Sequence, residues 1–409
     1  MIRTSTITRA TLGRLAMVSL LTLTPAQAFS ASWMRFIAVG DMPYTEDEEQ
    51  AFNGPIRQAI QQMNPSFVLH YGDIKSGKSD CSDALLTKRR AEIEQLHPGR
   101  VFYTPGDNEW TDCDRAALAH PESELDRLSR IRELFYSKPM QLPADWAYAR
   151  QPLYPENARW IRDGVMFVTV HLVGTDNGRK EILKDDTEWA LAQVHARDQA
   201  NRVWLDQAFE AARTSRARAM VVATQADVTL QGGEMPCSAV NRTQCDAFAR
   251  FRDQLRRLAN NFHESDAPAK PVLLVHGDTR PYCWDKRFGG AIAPNLWRLN
   301  AWGDFQTPAD ATEIIVQPAD ISQPFIARTL TGKKTPKPVA SNAHSQKIKR
   351  WIPGLHSSCL FLSGRDYPSA NGLKGIERKV SVRIQPGHPQ EERIALPQPP
   401  GRSPISAES

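Results

Sequence analysis

The sequence predicts an α/β fold built on a largely parallel sheet, because the same unit, an apolar run closed by a tight turn, recurs three times in its first third. Met34 to Gly40 (MRFIAVG) is a short apolar run ending in glycine, and residues of helical spacing follow from Gly54 to Met63, with Pro55 at a tolerated first-turn position. Phe67 to Tyr71 ends at Gly72-Asp73 and precedes a charged amphipathic stretch, Ser82 to Leu96. Val101 to Thr104 then ends at Pro105-Gly106-Asp107. Successive strand-then-helix units lay strands side by side and parallel, with their C-terminal ends at one edge, where ligands bind in such sheets.

The pattern continues beyond these units. Val165 to Val173, Ala219 to Thr224 and Val272 to Val275 read as buried strands. Arg197 to Arg213 reads as a helix with Trp204, Leu205 and Phe209 on one face, and Cys245 to Asn261 as a basic helix. Glu313 to Gln317 and Phe325 to Thr331 look like closing strands, so one domain is expected over residues 29–332. Residues 333–409 open with GKKTPKP and close on a proline-rich polar stretch, and read as a poorly ordered tail with at most a strand at Lys379 to Ile384. No repeat of solenoid length is visible.

At the other end, Arg3, Arg9 and Arg14 precede an apolar run from Leu15 to Leu23, followed by Pro25 and Ala26-Gln27-Ala28. This has the form of a secretory signal peptide over residues 1–28, which places the mature chain in the periplasm or outside the cell. The run is too short to cross a bilayer, and no later stretch approaches the roughly 20 apolar residues a spanning helix needs. Signal removal takes three arginines and no acid, lowering the formal charge from +5 to +2. A near-neutral surface argues against nucleic acid as the main partner. The 6 cysteines are an even set, suited to an oxidising compartment. Cys237 and Cys245 are close enough to staple one loop, Cys81 and Cys113 each follow a candidate site loop, and Cys283 with Cys359 is a possible third pair.

The residues that carry chemistry stand at strand ends. Gly40-Asp41, Gly72-Asp73 and Gly106-Asp107-Asn108 each present an aspartate just after a glycine, and a fourth strand end presents His276-Gly277-Asp278. Taken singly, a Gly-Asp after a strand is a turn with a local hydrogen bond. Four in register at one sheet edge converge, and a divalent cation or two is the simplest way to stabilise the cluster. Asp, Asn and His ligands suit a hard or borderline metal rather than a soft one.

In this order, Gly40-Asp41, Tyr71-Gly72-Asp73, Pro105-Gly106-Asp107-Asn108-Glu109 and His276-Gly277-Asp278-Thr279 resemble the motifs of the metallophosphoesterase (calcineurin-like) superfamily over about residues 34–330. Residues 40–44 (GDMPY) and 105–113 (PGDNEWTDC) resemble an exported bacterial branch of it. The resemblance implies a four-layer αββα sandwich of two mixed β-sheets and one or two divalent metal ions (Mn, Mg, Fe or Zn) at the strand ends. It implies Asp41 as a ligand of one metal, Asp73 as the bridging ligand, and Asp107, Asn108, Gln225, His276 and Asp278 at the remaining ligand positions. The implied activity is hydrolysis of a phosphate mono- or diester, small or polymeric, by a metal-activated water.

The motifs also depart from the superfamily pattern. Pro43 stands where the first motif has a histidine, Gln225 replaces the fourth-motif histidine, and the usual Gly-His-x-His reads Gly277-Asp278-Thr279-Arg280. A direct overlay of the third motif puts Asp107 at the ligand asparagine and Asn108 at the catalytic histidine. A one-residue slip makes Asn108 the ligand and Glu109 the acid, and both alignments stand. Arg280 is the candidate phosphate clamp, with a surface ion pair as its plain alternative. His70 and His171 read as strand residues, and Trp110 as packing under its loop. Two functions follow: a metal-dependent phosphoesterase, or a relative that kept the scaffold as a binding module. A serine hydrolase is disfavoured, since no Gly-x-Ser-x-Gly elbow occurs. The oligomeric state is not legible.

Overall fold

Strands in this chain form where apolar runs can be buried on both faces, and they assemble into two sheets. The structure, a computed structural model, describes residues 33–265, 267–279, 282–302 and 309–332. The expected signal peptide, the C-terminal tail with its strand at Lys379 to Ile384, Cys359 and Arg280 all lie outside the described residues.

The first sheet joins β1 (Met34–Val39), β2 (Val68–His70) and β3 (Val101–Tyr103) in parallel, as the repeated units predict. It is completed by β11 (Thr312–Val316), antiparallel to β1, and β12 (Phe325–Thr329), in the order β12-β11-β1-β2-β3. The second sheet has seven strands in the order β4-β5-β6-β7-β8-β10-β9. Its parallel centre is β6 (Val165–Thr169), β7 (Ala219–Ala223), β8 (Val272–His276) and β10 (Leu296–Asn300). Antiparallel edges come from β4 (Ala149–Gln151), β5 (Tyr154–Arg162) and β9 (Cys283–Asp285).

Three hydrophobic layers hold the sheets. Between them lies a core that includes Phe36, Phe67, Phe102, Trp160 and Phe167, with Phe102 stacked on Trp160 at 3.6 Å between ring centroids. The outer face of the first sheet is covered by α2 (Arg57–Met63), α3 (Asp83–Glu94) and α4 (Glu124–Tyr136). That of the second is covered by α6 (Thr187–Thr214) and α7 (Ala249–Asn260), which contribute Trp204, Phe209, Phe251 and Leu255. Helices, sheet, sheet, helices: this is the four-layer αββα sandwich that the motifs imply.

Local chemistry sets the helix starts. Ser82, Ser123 and Asp186 cap α3, α4 and α6 by accepting from the N–H groups of Leu85, Asp126 and Trp189. α6 thus begins ten residues before the stretch whose apolar face announces it. The helix expected from Gly54 starts earlier too, as α1 (Glu46–Ala51) capped by Thr45, with Gly54 and Pro55 absorbed in the wider turn Phe52–Ile56 before α2. The strand expected over Val165 to Val173 ends at Thr169, because the Leu172 N–H folds back onto the Val170 carbonyl.

Cys81–Cys113 and Cys237–Cys245 are both disulfide-bonded, as expected. Among the described residues no helix is long and apolar enough to cross a membrane.

Candidate functional site

Parallel strands β1, β2 and β8 end at one edge, and each hands the chain to an aspartate in the left-handed region: Asp41 at φ 50°, Asp73 at 55° and Asp278 at 73°. For residues with a Cβ this conformation is costly, and here it turns three carboxylates toward one place. Asp278 donates its backbone N–H to both oxygens of Asp41, at 3.1 and 3.0 Å. A Cβ at Gly174 would collide with the carboxylates of Asp107 and Asp278 together, and one at Gly106 with that of Asp73. All four aspartates are at least 93% buried.

Neutral donors surround them. Asn108 reaches Asp73 twice, backbone N–H to Oδ1 at 3.2 Å and Nδ2 to Oδ2 at 3.0 Å. Tyr44 donates its hydroxyl to Asp73 Oδ2 at 2.9 Å and accepts from Asn108 Nδ2 at 2.8 Å. Gln225 spans the site, donating to Asp107 Oδ1 at 3.1 Å and accepting from the Gly174 N–H at 2.8 Å. Thr175 places one hydroxyl between Asp107 and Asp112, at 3.0 and 2.9 Å. It lies on a short turn, α5 (Gly174–Gly178), in which Thr175, Asp176 and Asn177 are all left-handed.

The electrostatics match this crowding. Burial first, then Asp107, Asp41, Glu109 and Asp278, push the Asp73 carboxyl well above the usual carboxylate range. Burial and Asp107 do the same to Asp278. Burial raises Asp112 to about 8, with Asp107 adding and its ion pair to Arg115 at 2.6 Å opposing. Burial lowers Lys75 to about 8 against the pull of Asp112, Glu109 and Asp73.

Not every expected residue faces the carboxylates. His276 contacts the Gly277 carbonyl through Nδ1 at 2.8 Å and Arg298 through Nε2 at 3.3 Å. Burial holds it near 4, so its ring is neutral at pH 7. Glu109 turns under its loop, where Oε1 accepts from Tyr103 Oη and the Gly106 N–H, both at 2.7 Å. Trp110 is buried with Leu128 and Val173, the Arg197 guanidinium 4.9 Å over its ring. His70 takes the Gly72 N–H at 3.2 Å and is held near 3 by burial.

Sequence reasoning missed Tyr44, Asp112, Thr175 and Asp227. Asp227 donates its N–H to Asp278 Oδ2 at 3.1 Å, and its own carboxylate accepts from Thr279 at 2.6 Å and Arg298 at 3.1 Å. Burial pushes Asp227 up, and His276, Arg298 and the hydroxyls of Thr229 and Thr279 more than reverse it, down to about 2. With His276 neutral, Arg298 is the standing cation beside it. A signal existed: Asp227 follows β7 at the same sheet edge, with Ala226 where the other motifs have glycine.

The donor set of the centre is oxygen-rich and lacks imidazole, which suits a hard cation such as Mg²⁺ or Mn²⁺ more than Zn²⁺. The raised pKa values of Asp73 and Asp278 fit that: they mark a deficit of positive charge that a cation would fill. Among the described residues, however, no three His, Cys, Asp and Glu side chains stand as a metal cage. The oxygens that would coordinate are turned instead to the hydroxyl and amide donors of Tyr44, Asn108, Gln225 and Thr175.

No family model matches the chain, and no curated protein matches it. Among solved structures it is similar to PhoD, at 10% identity over 75% of this chain and 72% of that one, with a TM-score of 0.41. It is similar to the purple acid phosphatase PPD1 of yellow lupin (Lupinus luteus) seeds, at 9% identity over 76% and 58%, with a TM-score of 0.40. It is also similar to the NAD nucleotidase of Haemophilus influenzae, at 12% identity over 73% and 49%, with a TM-score of 0.37. These values are low, and the chemistry of the site rests on its own residues. The architecture itself is two mixed sheets between helical layers, with the motif loops at one edge.

Proposed function

We propose that this chain is an exported phosphoesterase that cleaves a phosphate mono- or diester at the edge carrying Asp41, Asp73, Asp107 and Asp278, with a hard divalent cation. The observation that carries the reading is the meeting of three strained aspartates from three separate strand ends. A turn with no use for a carboxylate would take glycine there at lower cost.

When bound, such a cation polarises phosphoryl oxygens and acidifies a water molecule. The chain's own part is to supply its ligands from the four aspartates, with Asn108 and Gln225 as neutral oxygen donors beside them. Tyr44 and Asn108 set the orientation of Asp73, and Thr175 and Gln225 that of Asp107. Arg280, two residues beyond Asp278, remains the candidate clamp for a substrate phosphate. The two disulfides suit the periplasm or the cell exterior.

A second reading, a binding module on the same scaffold, is favoured by one observation. His276, the histidine at the fourth strand end, turns Nε2 to Arg298 and stands 3.9 Å from Asp227 Oδ1, and burial keeps it neutral, so it is not placed as an acid for the leaving group.

The test is a metal count on the purified chain, with assays on an aryl phosphate and a bis-aryl phosphate in added Mg²⁺, Mn²⁺, Fe²⁺ or Zn²⁺. Cleavage that disappears in a folded Asp73→Asn variant supports the enzyme. Absence of both metal and cleavage leaves the binding module.

A further inference from the structure

Asp73 has one oxygen to offer a cation. Its Oδ1 accepts from the Asn108 backbone N–H at 3.2 Å and is pressed against Gly106, where a Cβ would stand 1.9 Å from it. Oδ2 is held by two side chains, Tyr44 Oη donating to it at 2.9 Å and Asn108 Nδ2 at 3.0 Å. The two donors are also bonded to each other, Asn108 Nδ2 giving to Tyr44 Oη at 2.8 Å.

A proton and a cation compete for the lone pairs of one oxygen, so these donors must turn away when Asp73 serves as a ligand. Their options differ. Asn108 carries a carboxamide oxygen, itself a neutral ligand for a hard cation. Tyr44 carries only a hydroxyl, which keeps its proton at neutral pH and has to find another acceptor.

The backbone of Tyr44 is fixed, because its N–H donates to Glu48 Oε2 at 2.6 Å at the start of α1. The side chain alone is left to move. It is half-buried where Asn108 and Gln225 are buried, so a ligand arriving from solvent meets it before them. Thr175, the other half-buried donor of the site, is already committed between Asp107 and Asp112.

We propose that Tyr44 is a catalytic residue of the phosphoesterase reading above, on which this inference rests: its hydroxyl donates to a phosphoryl oxygen of the ester once Asp73 Oδ2 is given to a cation. The proton stays on Tyr44 throughout. No covalent bond changes, and the donor exchanges a carboxylate oxygen for a phosphoryl oxygen.

Calorimetric titration of the purified chain and of a Tyr44→Phe variant tests this, first with Mn²⁺ and then, in saturating Mn²⁺, with inorganic phosphate. The variant should bind Mn²⁺ at least as tightly as the parent, because it lacks the proton that competes for Asp73 Oδ2. It should bind phosphate about tenfold or more weakly, the loss expected for one hydrogen bond to a charged acceptor. Its kcat/KM on an aryl phosphate should fall by a similar factor. Unchanged phosphate affinity in a folded variant that binds Mn²⁺ overturns the assignment and leaves the phosphoesterase reading standing. Weaker Mn²⁺ binding by the variant overturns it as well, since the hydroxyl would then act only by holding Asp73 in place. A parent that binds Mn²⁺ but no phosphate has the same consequence, and a parent that binds no Mn²⁺ removes both readings. Should the variant not fold, the near-ultraviolet tyrosine difference spectrum of the Mn²⁺-loaded parent on adding phosphate reads the same exchange: a change supports it, and no change overturns it.

Discussion

Replacing His171 with leucine should make the protein less sensitive to acid. The imidazole is fully buried, and neither ring nitrogen has a hydrogen-bond partner among the described residues. Burial, with Arg197 and Arg132 adding, lowers its pKa well below the ordinary 6.5. A base with a depressed folded pKa stays neutral in the fold while the unfolded chain takes up a proton below pH 6.5. Its contribution to stability is therefore intact above pH 6.5 and declines as pH falls below it. The decline is about 1.4 kcal/mol per pH unit, so about 2 kcal/mol is lost between pH 6.5 and pH 5. In His171→Leu this loss is absent. At pH 8 the exchange trades two orphaned nitrogens for methyl groups in an imperfectly matched space, a difference expected to lie within about 1 kcal/mol of zero. Urea unfolding of both proteins at pH 8, 6.5 and 5 should show the variant gaining about 2 kcal/mol on the parent toward acid. A pH-independent difference would refute the reasoning, because it would mean that His171 is protonated in the fold or reached by water. Ester cleavage by the variant should persist, since the ring is packed 5.5 Å from Trp110 rather than among the carboxylates.

Three further outcomes are expected. Removing the Cys81–Cys113 disulfide as a double alanine variant opens a link across 32 residues and should cost about 3–4 kcal/mol in urea unfolding, with a loss under 1 kcal/mol counting against it. Both sulfurs lie near the Asn108 carbonyl, at 3.7 and 3.8 Å, so cleavage should fall as well. In chelator, Asp73→Asn should be more stable than the parent at pH 8 and equal to it near pH 4: a raised carboxyl costs nothing below its unfolded pKa, and its penalty grows as pH rises above it. A variant less stable at pH 8 would show that the repulsion is already compensated. Glu109→Ala leaves the buried Tyr103 hydroxyl and Gly106 N–H unpaired and should lose about 2–4 kcal/mol by thermal or urea unfolding, whereas Glu109→Gln should keep both fold and cleavage. Abolished cleavage in the folded glutamine variant would make Glu109 the acid of the reaction.

Apolar runs closed by Gly-Asp were legible because both halves of the signal are local: a run buried on both faces, then a turn. That is why β1, β2, β3 and β8 stand where the sequence puts them, with their aspartates at one edge. β5 and β10 were hidden for the opposite reason, since they bury polar residues whose partners are distant in sequence. Glu156 is matched by Arg132 at 2.5 Å, Asn157 by Asn201 at 2.7 Å, and Arg298 by Asp227 at 3.1 Å. No local pattern announces a strand whose polarity is cancelled by another element. The same holds for Thr175, which meets Asp107 and Asp112 from a turn more than 60 residues away in sequence.

The neutral polar residues and the aspartates carry different information about the site. Gln225 and Asn108 are held by ordinary polar packing, Gln225 between Asp107 and the Gly174 N–H and Asn108 against Asp73. The aspartates have not been relaxed in the same way. Asp41, Asp73 and Asp278 keep left-handed backbones that cost on the order of 1 kcal/mol or more each, and Asp73 and Asp278 stay buried against like charges that raise their pKa values. Glycine at any of the three would remove the strain, and asparagine at Asp73 or Asp278 the repulsion, without changing the turn. Retaining both penalties at one sheet edge is hard to reconcile with an inert scaffold, and it follows directly if the carboxylates are ionised by a cation during function.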